Sequence, residues 1–199
     1  MKPERNTPSA FTLLPLTASH GLMHIMAVAL PALSLLVKEE FHLTNTAVGM
    51  LSFAFAAAIG LGSIPAGLLS DRVEVLRLIR FGFLSTALLS ALLLLARDFR
   101  AVTLVFIGMG FFLSFYHPSA LSHIARSVRV NRGKTYGVHE TGASIGLAIT
   151  PLIAGFISYY YGWRFVYVFL AVPALFIVFL LFRKRGDNNL GFYRWWCFR

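Results

Sequence analysis

Six long apolar runs, separated by short polar links, dominate the chain. They cover about residues 11–37, 46–69, 79–96, 102–124, 135–160 and 165–182. Crossing ~30 Å of hydrocarbon takes roughly 20 apolar residues as a helix. Each run therefore predicts one transmembrane span. The links, 38–45, 70–78, 97–101, 125–134 and 161–164, are short enough that successive spans are expected to be antiparallel neighbours. The predicted fold is all-α: a polytopic six-helix transmembrane bundle over residues 1–185, then a short basic and aromatic tail over 186–199. The first run is too long for a cleaved signal peptide. It also holds His20 and His24, and no small-residue cleavage site ends it.

Composition agrees with the pattern. Apolar residues make up 57% of the chain and charged residues 13%, against about 25% charged in soluble domains. Too little charge is left to cover a water-exposed globule. The single cysteine, Cys197, excludes an intramolecular disulfide and a multi-cysteine metal cluster. A net charge of +10 on a soluble protein would point to nucleic acid. Here the basic residues lie between apolar runs, so they report topology and no nucleic-acid partner is expected. Lys2, Arg5, Arg72, Arg77, Arg80, Arg126, Arg129, Arg132, Lys134, Arg183, Lys184, Arg185, Arg194 and Arg199 fall on one side. Lys38, Arg97, Arg100 and Arg164 fall on the other. The excess of basic residues on the cytoplasmic side of membrane proteins puts both termini in the cytoplasm of a cell in whose inner or plasma membrane the bundle sits.

Ionisable groups inside a span are costly and mark candidate functional positions. They occur in the interiors of the first, fourth and fifth runs: His20 and His24, His117 and His123, then His139 and Glu140. The first, fourth and fifth spans are thus expected to face a polar interior, and the third and sixth to face lipid. His20 and His24 are one turn apart on one helix face, and Pro31 farther along is expected to kink that helix. His117 precedes the fourth–fifth link by about as many residues as His139 and Glu140 follow it, which puts them at similar depth in a hairpin. Pro118 frees a backbone carbonyl one turn earlier. Imidazoles in bundles also simply hydrogen-bond a neighbouring helix, and this is the expected role of His123, near the membrane edge. His-x-x-x-His suits a metal, but no carboxylate lies near it on that helix, so neither metal nor cofactor is assigned. The chain has no Gly-x-Ser-x-Gly, His-Glu-x-x-His or P-loop, and no catalytic residues or enzymatic activity are expected. Ser63 with Gly67, and Gly142 with Gly146, have the four-residue spacing that lets helices approach closely.

Two motifs carry a resemblance. Gly67-Leu-Leu-Ser-Asp71-Arg72, followed by Arg77 and Arg80, resembles the signature between the second and third helices of the major facilitator superfamily, with Glu74 and Val75 in place of its second glycine and basic residues. Gly137, Gly142, Gly146, Thr150-Pro151 and Ala154-Gly155 resemble the fifth-helix glycine/proline pattern of its antiporters, with Thr150 and Ala154 replacing two glycines. Leu104 stands four residues before Gly108-x-Gly110, where the family's drug antiporters carry an arginine. His24, Leu30-Pro31-Ala32, Tyr116-His117-Pro118-Ser119 and His139 resemble the fosmidomycin-resistance-like branch of efflux permeases.

The resemblance covers about residues 12–182 and implies half of a twelve-helix fold. It implies a secondary transporter of a small molecule, driven by protons, that needs a second six-helix half. His20, His24, His117, His139 and Glu140 would form the pathway and proton relay, and Gly67, Asp71, Arg72 and Arg77 the cytoplasmic gate. The family pairs the Asp71 loop with the other half. The tail is expected to be the scar of a truncation or, alternatively, an interfacial segment. The alternative to transport is a non-transporting membrane protein, a remnant or an interaction subunit.

Overall fold

The computed structural model describes residues 10–128 and 130–183. The tail at 186–199 lies outside the described residues. The described residues form seven α-helices: α1 (Ala10–Glu40), α2 (Asn45–Ser70), α3 (Val75–Leu92), α4 (Phe99–Leu113), α5 (Tyr116–Ser127), α6 (Arg132–Tyr161) and α7 (Trp163–Arg183). Six spans result, because α4 and α5 together form the fourth, Phe99–Ser127. No strand occurs among the described residues.

Local chemistry sets the ends. Thr44 Oγ1 accepts from the Ala47 amide at 3.2 Å and starts α2; Asp98 Oδ1 accepts from Ala101 at 2.9 Å and starts α4. Each relieves one of the unpaired amides of a helix's first turn. Gly162, at φ +89°, is the one-residue corner between α6 and α7, a backbone conformation that side chains rarely adopt. The fourth span breaks at Ser114–Phe115 because Pro118 has no amide to give the Ser114 carbonyl. Pro118 then sits in the first turn of α5, where a missing N–H costs little. The helix α1 runs without interruption through Pro15 and Pro31.

Successive spans touch, as their short links require, but they are not the most extensive pairs. The broadest contact is α1 on α6, followed by α3 on α7 and α2 on α4. A short link joins two helix ends but does not choose the face along which they lie. That choice falls to small residues. A Cβ on Gly142 would sit 2.0 Å from the Thr17 carbonyl oxygen, and one on Gly146 would sit 2.4 Å from that of Gly21. The α1–α6 backbones touch there, as the Gly142/Gly146 spacing predicts. For the other pair the structure corrects the reading. Gly67 meets only Pro118 Cβ at 3.9 Å, whereas Gly62 packs on Ser114 and Gly110 on the Phe55 carbonyl. The contact face of α2 is thus rotated from the one Ser63 and Gly67 define.

The packing order is α6, α1, α7, α3, α4, α2. The helices at its two ends, α2 and α6, carry the largest uncovered apolar faces, including Phe53, Leu61 and Ile64, and Leu152, Phe156 and Tyr159. The helices α3 and α7 pack on each other and present Leu88, Leu92, Phe176 and Phe179 outward. Arg80, grouped by sequence with the cytoplasmic loop residues, is buried within α3. It donates to the Leu181 carbonyl of α7 at 3.0 Å and lies over the Phe182 ring.

At the opposite end, Arg164 gathers three elements. It donates to Glu40 at 2.6 and 2.7 Å, to Leu93 O at 3.2 Å and to Ala96 O at 2.9 Å. Trp163 Nε1 donates to the same Glu40 carboxylate at 2.6 Å.

Candidate functional site

Four imidazoles from three helices meet in the bundle. The α1–α6 contact is responsible for two of them. Gly21 follows His20, and Gly142 lies one turn after His139, so the backbone approach at these glycines lays one ring on the other. The rings of His20 and His139 stack at 4.2 Å with 12° between planes. His20 Nδ1 lies 3.1 Å from the His139 carbonyl oxygen. A carbonyl only accepts, so His20 carries its proton on Nδ1 and offers a lone pair at Nε2. That Nε2 is 3.2 Å from His24 Nε2, one turn along α1.

The break at Ser114–Phe115 supplies the third helix. His117 lies in the first turn of α5, with its ring edge-on to His20 at 5.0 Å and to His24 at 5.3 Å. Tyr116 stacks on His20 at 5.5 Å and on His139 at 6.0 Å, and its hydroxyl donates to the Leu16 carbonyl at 2.5 Å. The shared depth expected of His117 and His139 is present, since both rings touch His20.

Burial divides the cluster. His20 and His139 are fully buried, while His24 and His117 are half-buried. Glu140, a third of a turn from His139, has a side chain 57% exposed, and its Oε1 is 3.9 Å from His20 Nδ1. Neither ring nitrogen of His139 has a hydrogen-bond partner among the described residues. His123 lies farther along α5 and lines a separate small cavity with Leu16, Ile124 and Thr135.

The glycine/proline motif of α6 splits by face. Gly142 and Gly146 pack inward on α1, whereas Gly137 and Gly155 have open space at the Cβ position and Pro151 is exposed. The loop after α2 is tied within the chain. Asp71 Oδ1 accepts from Arg126 Nη2 at 2.7 Å, and Arg126 also donates to the Ser70 carbonyl at 3.1 Å. Asp71 thus has an ion-pair partner in this half, on α5. Arg77 Nε donates to Glu74 at 2.7 Å, so the acid that departs from the family motif holds one of its basic residues. Arg72 is exposed, and Leu104 faces outward from α4.

The sequence names Tyr116 only within a motif and Arg126 and Arg164 only as markers of topology, and it does not single out Gly21 or Glu40. A tyrosine beside His117 and a glycine beside His20 were the available signals for Tyr116 and Gly21. The ion pairs join residues 55 and 124 positions apart and have no local signature.

Comparison with known proteins agrees with this picture. The family model described as Major Facilitator Superfamily matches residues 16–191. The chain is 27% identical over 166 residues to the Probable L-galactonate transporter of Escherichia coli K12, covering 81% of this chain and 37% of that protein. It is 30% identical over 166 residues to the Fosmidomycin resistance protein of the same strain, covering 83% and 41%. It superposes with a TM-score of 0.78 on the inward-facing, unoccupied structure of a bacterial homolog to the human lysosomal transporter Spinster, at 21% identity, covering 92% of this chain and 43% of the other. The chain spans about two fifths of the length of these relatives. Six membrane-length helices, the tied loop after α2 and the family match lead to one assignment: the chain is a multi-pass membrane protein that belongs to the Major Facilitator Superfamily, a family of transporters and not of enzymes.

Proposed function

We propose that this chain forms one six-helix half of a secondary active transporter that exports a small organic molecule in exchange for protons. The observation that carries the reading is the convergence of His20, His24, His117 and His139 from three helices inside a predominantly apolar bundle. Buried imidazoles in lipid need a reason, and an imidazole changes charge near physiological pH. Neither ring nitrogen of His139 is engaged by another group among the described residues, which leaves the ring free to take up and release a proton. Glu140 supplies an exposed carboxylate beside His20. His24 and His117, half-buried, line the substrate path.

Transport follows by alternating access, with two six-helix bundles rocking about a central site. The open faces of α2 and α6 meet the second half. The Asp71–Arg126 pair belongs to the cytoplasmic gate, and both termini lie in the cytoplasm of the inner or plasma membrane. Efflux appears in the names of relatives, such as the Probable sugar efflux transporter of Helicobacter pylori 26695, 26% identical over 74% of this chain.

The test is pH-driven efflux from proteoliposomes by this half joined to a second six-helix half. His139→Gln combined with Glu140→Gln abolishes the pH dependence and keeps substrate binding, whereas Asp71→Asn slows transport at every pH. Full proton-coupled efflux by the double variant overturns the relay.

A further inference from the structure

We infer that His20, His24 and His117 form a binding site for a borderline divalent transition metal, with Zn2+ as its type. Three features of the geometry lead there, and none depends on transport.

The first is tautomer. A metal-bound imidazole needs a free lone pair on the ligating nitrogen, and such rings commonly donate their other N–H to a backbone carbonyl. His20 does this: Nδ1–H points at the His139 carbonyl at 3.1 Å, which leaves Nε2 unprotonated. The second is spacing. Two nitrogens each 2.0–2.1 Å from a tetrahedral Zn2+ lie about 3.3 Å apart. His20 Nε2 and His24 Nε2 are 3.2 Å apart in a hydrogen bond that His24 donates; the ion takes the place of that proton, which His24 then carries on Nδ1. The third is the third ligand. Ring nitrogens of His20, His24 and His117 all fall within 4.8 Å of one another, so rotation of the half-buried His117 side chain brings it to the same ion.

The donor set fixes the chemistry. Three imidazoles suit Zn2+ and its neighbours, while Mg2+ and Ca2+ take oxygen ligands. A competing set, His20 with His139 and Glu140, is also close. Glu140 lies toward the Nδ1 edge of His20, however, and that atom is already committed to a carbonyl. Glu140 therefore acts as a nearby negative charge and not as a ligand. Three protein ligands leave the fourth tetrahedral position open, on the side where His24 and His117 are half-exposed. The ion staples α1 to α5.

The experiment uses the full chain, purified in detergent with a tag free of histidine and stripped with a chelator. Zn2+ alone is titrated in competition with a chromophoric chelator, and Co2+ serves as a spectroscopic probe. One Zn2+ binds per chain, Co2+ gives the intense visible bands of a tetrahedral site, and Zn2+ raises the thermal midpoint, as any ligand specific to the folded state does. His24→Gln and His117→Gln each weaken binding at least tenfold and remove both the bands and the thermal shift. His42→Gln, on the exposed loop after α1, changes nothing. His24 and His117 are half-exposed, so their variants keep the fold, which circular dichroism checks directly. Binding that survives both substitutions, or that His42→Gln removes, overturns the site. So does loss of binding on Glu140→Gln while His24→Gln retains it. The readout is metal binding, so the site and the transport reading fail separately.

Discussion

Replacing Gly142 with alanine should loosen the bundle at the point that assembles the imidazoles. The new Cβ would lie 2.0 Å from the Thr17 carbonyl oxygen, 2.9 Å from its carbon and 3.1 Å from Thr17 Cγ2. The nearest two are backbone atoms, so no side-chain rotation relieves the clash. Reaching ordinary contact at 3.4 Å requires α1 and α6 to separate by about 1.4 Å there. One turn away, the bond from His20 to the His139 carbonyl starts at 3.1 Å, and even half that displacement carries it beyond hydrogen-bonding range. Overpacking of this kind costs about 1–3 kcal/mol, and the lost hydrogen bond adds about 1 kcal/mol. Gly137→Ala is the control. Its Cβ meets open space, so the better helix propensity of alanine makes it neutral or stabilising by up to about 1 kcal/mol. The assay heats detergent-solubilised protein and measures the monodisperse fraction by size-exclusion chromatography. The reasoning fails if Gly142→Ala melts with the parent, or if Gly137→Ala loses as much as Gly142→Ala.

Three further outcomes are expected. A cysteine placed at Glu39 reacts with an impermeant reagent added outside the cell and one at Asn131 does not; the reverse pattern refutes cytoplasmic termini. Spin labels at Leu92 and Phe176, both exposed on α3 and α7, show high oxygen and low water accessibility, and high water accessibility at both refutes their contact with lipid. Arg164→Leu destabilises by about 1–3 kcal/mol, because it takes the donor from the Ala96 carbonyl and leaves the Glu40 carboxylate with Trp163 alone and the Leu93 carbonyl with the Ala96 amide alone. Arg126→Ala, which breaks a pair exposed on both sides, changes stability by less than about 1 kcal/mol, and a thermal melt that ranks the two the other way refutes the comparison.

The spans were readable because a bilayer imposes length and apolarity on every segment that crosses it. The histidines were readable for a related reason: polar groups within such segments stand out, and helix period and hairpin symmetry place them. Burial was less accessible. His139 and Glu140 are adjacent, yet about 100° of helix rotation separates a fully buried ring from an exposed carboxylate. The same rotation explains why Gly62, and not its neighbour Ser63, makes the close contact of α2. Which spans lie together was the least accessible: the small residues Gly142 and Gly146 mark a close approach, but nothing local names α1, with Gly21, as the helix that meets them. Arg80 illustrates the limit of counting charges. Its sign marks a side of the membrane, while its burial under Phe182 depends on a helix a hundred residues away.

The Arg164 cluster ties one end of the bundle through side chains, whereas nearer its other end α1 is held by backbone contact with α6. Where α1 finishes, Glu40 is locked by two donors on α7, and the end of α3 is held by the same guanidinium. At the far end, the Asp71–Arg126 tie is exposed and easily screened. A helix anchored in this way behaves as a lever. His20 lies twenty residues from Glu40, or about 30 Å along the axis at 1.5 Å per residue. A tilt of about 2° at the fixed end, far too small to disturb the Glu40 contacts, moves His20 sideways by about 1 Å over that length. A shift of that size at the imidazoles therefore needs no repacking where α1, α3 and α7 join, but it does change the close approach of α1 to Gly142 and Gly146 of α6.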